Sequence, residues 1–211
     1  EAVNDLSEKL YKLLKKPNAR HNLIFKAPTG AGKTIMMAAF LNRICEELPE
    51  RYELEKRKAA FIWIAPNKLY IQSYNALKGY FAEMRSIKPI FFEDVTDNEL
   101  QPNEVLFVNW ESINKEKNTM IKENETNKNL YSFIKAKLND TEIIVIIDEE
   151  HMFANTKTAK RANEVLQKIY PKVEIRVSAT PTTNSDYRTL VERQDVIAEE
   201  MIKEGIILNP A

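Results

Sequence analysis

The sequence predicts an α/β domain built on a mostly parallel sheet with helices on both faces. Three observations lead there. Short apolar runs alternate with stretches of helical spacing, the pattern of right-handed crossovers between parallel strands. Residues 143 to 147, Ile143-Ile144-Val145-Ile146-Ile147, are five consecutive β-branched residues, so both faces of that strand must be covered. A glycine-containing turn at residues 27 to 34 joins the first apolar run to a helix-patterned stretch. Polar residues then cluster after later runs, at the carboxyl edge where open α/β sheets gather ligands.

The elements follow in order. Ala2, Val3, Leu6, Leu10, Leu13 and Leu14 recur every three to four residues and predict an amphipathic helix over 2 to 15. That pattern begins at the first residue, so the chain is expected to continue upstream. Residues 22 to 26 predict a buried strand, and 35 to 41 a helix with one buried face. Residues 59 to 65 form the next strand, ending in Pro66-Asn67-Lys68-Leu69 and followed by a helical stretch containing Gln72. Strands are expected over 88 to 93 and 104 to 109, the second running into Asn109-Trp110-Glu111-Ser112-Ile113. Residues 114 to 129 are rich in Asn, Lys, Glu and Thr without apolar period, a solvated excursion. Leu130, Phe133, Ile134 and Leu138 space a helix that leads to the strand at 142 to 147, and Val173 to Arg176 is another strand-like run. Tyr187 through Glu204 carries helical spacing, with Gly205 suited to its C-cap.

Length and composition fit one such domain. The 211 residues suffice for a sizeable core, with 44% hydrophobic and 29% charged residues. No apolar run approaches the ~20 residues that span a bilayer, and no secretory signal opens the chain. Cys45, the one cysteine, lies in an apolar-periodic helix and reads as a small core residue. A disulfide framework is excluded and a cytoplasmic setting expected. Two histidines and one cysteine make a zinc site improbable. Lys+Arg and Asp+Glu both count 31, so no basic excess announces a polyanionic partner.

The chemistry is concentrated in three places. Residues 27 to 34 read A-P-T-G-A-G-K-T. Thr29, Gly30, Ala31, Gly32, Lys33 and Thr34 are the candidate ATP-binding residues. Gly30 and Gly32 let backbone N–H groups curl around phosphate oxygens, Lys33 brings a point charge, and Thr34 offers a hydroxyl to Mg²⁺. The usual first glycine of this pattern is Ala27 here. The plain alternative is a strand-to-helix turn with no ligand. The second place is Asp148-Glu149-Glu150-His151 at the end of the β-branched strand. Asp148 would hold Mg²⁺, mainly through water, and Glu149 would orient and deprotonate an attacking water, against the alternative of solvated turn acids. Lys33, Asp148 and Glu149 are thus the candidate catalytic residues, and Thr34 with Asp148 the metal pair. The third place is Val177-Ser178-Ala179-Thr180-Pro181, which alone could be a simple strand exit.

Taken together, A-x-T-G-x-G-K-T, D-E-x-H and S-A-T in this order resemble the first motor lobe of superfamily 2 helicases and translocases. The resemblance covers essentially the whole chain and implies a RecA-like P-loop NTPase fold, ATP and Mg²⁺ as cofactors, and one motor lobe over residues 1 to 211. It also implies that His151, Ser178 and Thr180 couple nucleotide state to nucleic-acid handling. Asn67 and Lys68 fall on the family's motif Ia and are expected phosphate contacts, though Asn67 could equally cap the following helix. Asn109 and Trp110 fall on motif Ib. Trp110 could stack on a base, worth ~1–3 kcal/mol, or close the core. Lys115, Lys117, Lys122 and Lys128 are further basic candidates. No adenine-reading glutamine is visible upstream of the first helix.

The ending E-G-I-I-L-N-P resembles the restriction subunit of type III restriction–modification systems. That implies a DNA partner in preference to RNA, a second motor lobe on the same polypeptide, a modification (methyltransferase) subunit, and no membrane. The γ-phosphate arginine of such motors belongs to the second lobe and adds ~10³–10⁵ in rate in related NTPases. Residues 1 to 211 alone are therefore expected to bind Mg-ATP weakly and hydrolyse it slowly or not at all. No nuclease constellation is seen, so any cutting domain is expected elsewhere. Two other functions fit the same motifs, a lobe of another superfamily 2 repair or RNA helicase, and a nucleotide-gated binding module without productive hydrolysis.

Overall fold

A computed structural model describes residues 1–17, 19–82, 86–91, 99–113, 130–135, 140–149, 151, 157–185 and 187–198. The polar excursion at 114–129 with its lysines, Leu138, Glu150 and the end of the chain from 199, including Gly205, lie outside them.

The described elements are α1 (Ala2–Leu14), β1 (His21–Lys26), α2 (Lys33–Glu47), β2 (Lys58–Ala65), α3 (Leu69–Phe81), β3 (Lys88–Phe91), β4 (Glu104–Asn109), α4 (Trp110–Ile113), α5 (Leu130–Lys135), β5 (Thr141–Asp148), α6 (Lys157–Ile169), β6 (Val173–Ser178), β7 (Arg188–Leu190) and α7 (Arg193–Ala198). Seven strands form one sheet in the order β3-β4-β2-β5-β6-β1-β7, every described pairing parallel. This is the α/β fold with helices on both faces that the motifs predict.

Strand β5 shows why the sequence folds this way. Side chains alternate across a strand. Ile144 and Ile146 enter one core with Leu10 of α1, Phe40 of α2 and Leu77 of α3. Ile143, Val145 and Ile147 enter a second core with Phe133 of α5 and Leu166 of α6. An unbroken β-branched run is thus what a strand between two helical layers requires. The same alternation puts Asp148 on the α2/α3 face, in phase with Ile144 and Ile146. Ser178 falls on the opposite face of β6, in phase with Glu174 and Arg176.

Glu174 is 1% exposed and its carboxylate takes Arg20 at 2.9 Å and Arg176 at 2.7 Å. Arg176 also donates to Thr183 at 3.1 Å, which pins the turn after β6. Buried charges of this kind need such pairing to be tolerated.

The structure corrects the reading of 187 to 204 as helical from its start. Arg188–Leu190 is strand β7, with Thr189 1% exposed opposite Phe25, and the helix begins at Arg193. Pairing with β1 satisfies backbone groups that a helical reading ignores. Cys45 is buried, and burial pushes its thiol up to about 12, so it is an inert core residue.

Candidate nucleotide site

Three adjacent parallel strands, β5, β6 and β1, end at the same edge of the sheet. Lys26 pairs with Ser178 and Asp148 with Val177, so the loops after β1 and β5 flank the end of β6. Two strand spacings separate the outer pair, about 10 Å. Topology alone therefore brings the three motifs together.

The loop after β1 has Gly30 at φ 83° and Gly32 at φ 73°. That left-handed region is the reason glycine is needed at both positions. Gly32 is also the N-cap of α2, and no side chain caps that helix. Its N-terminal N–H groups and dipole therefore favour an anion at the loop. Ala27 keeps a negative φ and is fully buried in the first core. Its methyl packs inward, so the departure from the usual glycine leaves the loop conformation intact. Lys33 Nζ lies 3.4 Å from the carbonyl oxygens of both Ala27 and Pro28, folded over the loop it would serve.

A cleft of about 260 Å³ opens beside this loop, lined by Lys33, Thr34, Trp63, Ser73, Asp148 and Glu149 among others. Asp148 Oδ2 accepts the Ser73 hydroxyl at 3.2 Å, and its Oδ1 accepts the Glu149 N–H at 3.0 Å. Burial pushes the Asp148 carboxyl up to about 6, with the Glu149 charge adding, while Ser73, the Glu149 N–H and Lys33 pull it down. A cation in the cleft would relieve both raising causes. Glu149 has φ 51°, a left-handed conformation uncommon for a residue with Cβ and often found at functional turns.

Beyond it, His151 Nδ1 lies 3.3 Å from Glu149 Oε2 and 3.0 Å from Ser178 Oγ. Ser178 is fully buried and its Oγ accepts the Thr180 N–H at 3.0 Å. The structure thus joins Glu149, His151, Ser178 and Thr180 in one polar chain. The residue it adds is Ser73, which sequence reading missed. Its signal was a hydroxyl in the apolar-spaced row Ser73, Leu77, Phe81, the buried face of α3.

The expected nucleic-acid residues fare differently. Asn67 has φ 51° and Lys68, not Asn67, is the N-cap of α3, with no side-chain cap. The Asn67 N–H donates to both oxygens of Glu111, at 3.0 and 2.9 Å. Asn109 Nδ2 donates to the Asn67 carbonyl at 3.0 Å, and its Oδ1 accepts the Glu111 N–H at 2.8 Å. Asn109 is therefore a brace between two loops, and Asn67 and Lys68 are exposed. Trp110 is 4% exposed and belongs to the second core, so it closes the core and is not placed to stack on a base. It is the first residue of α4, which begins directly where β4 ends at Asn109.

The residues fit a Mg²⁺-bound triphosphate. A lysine, a hydroxyl at a helix start and one raised carboxylate line the cleft, and the left-handed glycine loop leads directly into them. Among the described residues no group of three or more His, Cys, Asp or Glu could hold a metal unaided. Mg²⁺ is normally held by one or two carboxylates plus substrate phosphates, which suits this donor set.

A family model described as type III restriction enzyme, res subunit, matches residues 1–183. The chain belongs to that family. As a member of the res-subunit family it is an ATP-binding lobe of the superfamily 2 helicase kind, in a family of ATPase and helicase-type hydrolases. The match takes in all three motifs. No curated protein matches the chain. No helix among its described residues is long and apolar enough to cross a membrane.

Proposed function

We propose that this res-family lobe powers a DNA translocase of the type III restriction kind by binding and hydrolysing Mg-ATP, in partnership with a second motor lobe of the same polypeptide. The observation that carries the proposal is the convergence of Lys33, Thr34, Asp148 and Glu149 on one cleft. Lys33 neutralises the β- and γ-phosphates, leaving its loop carbonyls to do so. Thr29, Gly30, Ala31 and Gly32 present backbone N–H groups to the phosphate oxygens. Thr34 and Asp148 would hold Mg²⁺, which would supply charge neutralisation to the triphosphate. Glu149 orients the attacking water and takes its proton, and His151 steadies the Glu149 carboxylate from 3.3 Å.

Ser178 and Thr180 then report the state of that carboxylate to the end of β6. Lys68 and the exposed Asn67 side chain meet the nucleic-acid phosphates, and a modification subunit would direct the motor to its sites. A second hollow of about 540 Å³ is lined by Ala31 and Met36 together with Asp5, Val191, Asp195 and Val196. We assign the base and ribose to it, with Val191 and Val196 as its apolar wall.

Steady-state ATP hydrolysis by the full-length protein, with duplex DNA, single-stranded DNA or RNA added, tests the proposal. Stimulation by duplex DNA that is lost in Lys33→Ala and Glu149→Gln supports it. Stimulation by RNA alone moves the protein to another superfamily 2 motor, and no turnover with any polymer rejects hydrolysis.

A further inference from the structure

We propose that Ser73 is a positioning residue that orients the Asp148 carboxylate for Mg²⁺ and ties it mechanically to the helix carrying the Pro66–Lys68 loop. The inference rests on the nucleotide-site reading above.

The Ser73 hydroxyl reaches Asp148 Oδ2 at 3.2 Å, while Oδ1 takes the Glu149 N–H at 3.0 Å. The two donors come from different elements and hold different oxygens. The terminal torsion of aspartate is broad and roughly two-fold, so either bond alone leaves the carboxylate plane free to turn. Both together fix it.

The placement of Ser73 also asks for a reason. It is 7% exposed, in a row with Leu77 at 0% and Phe81 at 4%. Packing would place an apolar side chain there, since a buried hydroxyl is costly unless bonded. A serine hydroxyl has one proton, and helical serines commonly give it to the carbonyl one turn back. Here it goes to Asp148.

The other end of the device is the loop before α3. Both backbone groups of Asn67 are clamped, the N–H by Glu111 and the carbonyl by Asn109. Ser73 follows Lys68 by five residues, about 7.5 Å of helix rise. A helical segment that short moves as a rod. Displacement of the loop therefore moves the hydroxyl that sets Asp148.

The test is binding of a fluorescent ATP analogue to the full-length protein, titrated with Mg²⁺ and separately in EDTA. Ser73→Ala is expected to raise the Mg²⁺ concentration for half-maximal binding about 10-fold, as when a hydrogen-bond partner of a metal-binding carboxylate is removed. Affinity in EDTA stays at the wild-type value, and Ser73→Thr, which keeps the hydroxyl, restores the Mg²⁺ response. An unchanged Mg²⁺ response, or equal weakening in EDTA, overturns the proposal. If Ser73→Ala does not fold, Ser73→Cys takes its place as a near-isosteric variant with a weak donor, under the same expectations. Asp148→Ala separates the two readings. Should it too leave the Mg²⁺ response unchanged, the metal role of Asp148 itself fails; should it alone shift the response, only the role of Ser73 fails.

Discussion

His151 Nδ1 stands 3.0 Å from the hydroxyl of Ser178, bridging the ends of two neighbouring strands whose loops the sequence separates by 27 positions. The same nitrogen faces Glu149 at 3.3 Å, so a change in charge at Glu149 is felt at Ser178. Ser178→Ala is expected to preserve ATP-analogue affinity within about twofold while lowering polymer stimulation several-fold, the scale of one hydrogen bond. Parallel binding and turnover assays check this, and equal loss in both would show that Ser178 serves folding alone.

Asp148 sets a pH dependence whose sign can be worked out. Its folded carboxyl titrates near 6 against 3.8 for the free side chain. Between those values the folded state holds more protons than the unfolded state, so stability falls as pH rises through that window. Above it the charged Asp148 is a standing cost to the nucleotide-free protein. Asp148→Asn should therefore raise stability at pH 7.5 by on the order of 1–3 kcal/mol, an advantage that shrinks toward pH 4. Denaturant melts at both pH values decide it. Binding of Mg-nucleotide is expected to run the other way, weakening below about pH 6 as Asp148 takes up its proton.

Lys33→Ala should weaken ATP-analogue binding about 10- to 100-fold, the range for lost hydrogen bonds to charged groups. Glu149→Gln should leave binding intact and cut turnover about 10²- to 10⁴-fold, as expected for loss of a general base. Trp63 lines the cleft and is 1% exposed, so its fluorescence is expected to follow nucleotide binding in both variants. A Glu149→Gln protein that still turns over ATP would remove Glu149 from the chemistry.

At the loop before α3, Glu111 places a carboxylate where phosphate is expected to approach. Glu111→Gln keeps an acceptor for the Asn67 N–H and removes the charge. DNA affinity at low salt should rise a few-fold and the gain should fade at high salt, where screening removes it. Lys68→Ala should lower affinity uniformly across sequences.

Trp110→Ala should cost about 3–5 kcal/mol of stability because the side chain fills the second core. A chemical-denaturation midpoint unchanged from wild type would contradict the burial.

What could be read beforehand was whatever local chemistry dictates. The β-branched run of β5, the two glycines with positive φ and the acids at a strand end each need only their neighbours in sequence to be legible. β7 was hidden because its spacing satisfies a helix as well, and only β1 across the sheet decides the matter. Trp110 was ambiguous for a similar reason, since a strand exit leaves an aromatic free to turn inward or outward. Ser73 and Glu111 act through partners 75 and 44 positions away, distances at which no periodicity speaks.

The division of β5 between two cores has a mechanical corollary. Residues on both sides of that strand are locked into packed layers, so it is among the least deformable segments of the lobe. Its amides should be the last to exchange with solvent, surviving until global unfolding. The carboxylate at its tip is then a fixed anvil, and whatever stroke the lobe delivers must come from the loops and helices that close against it.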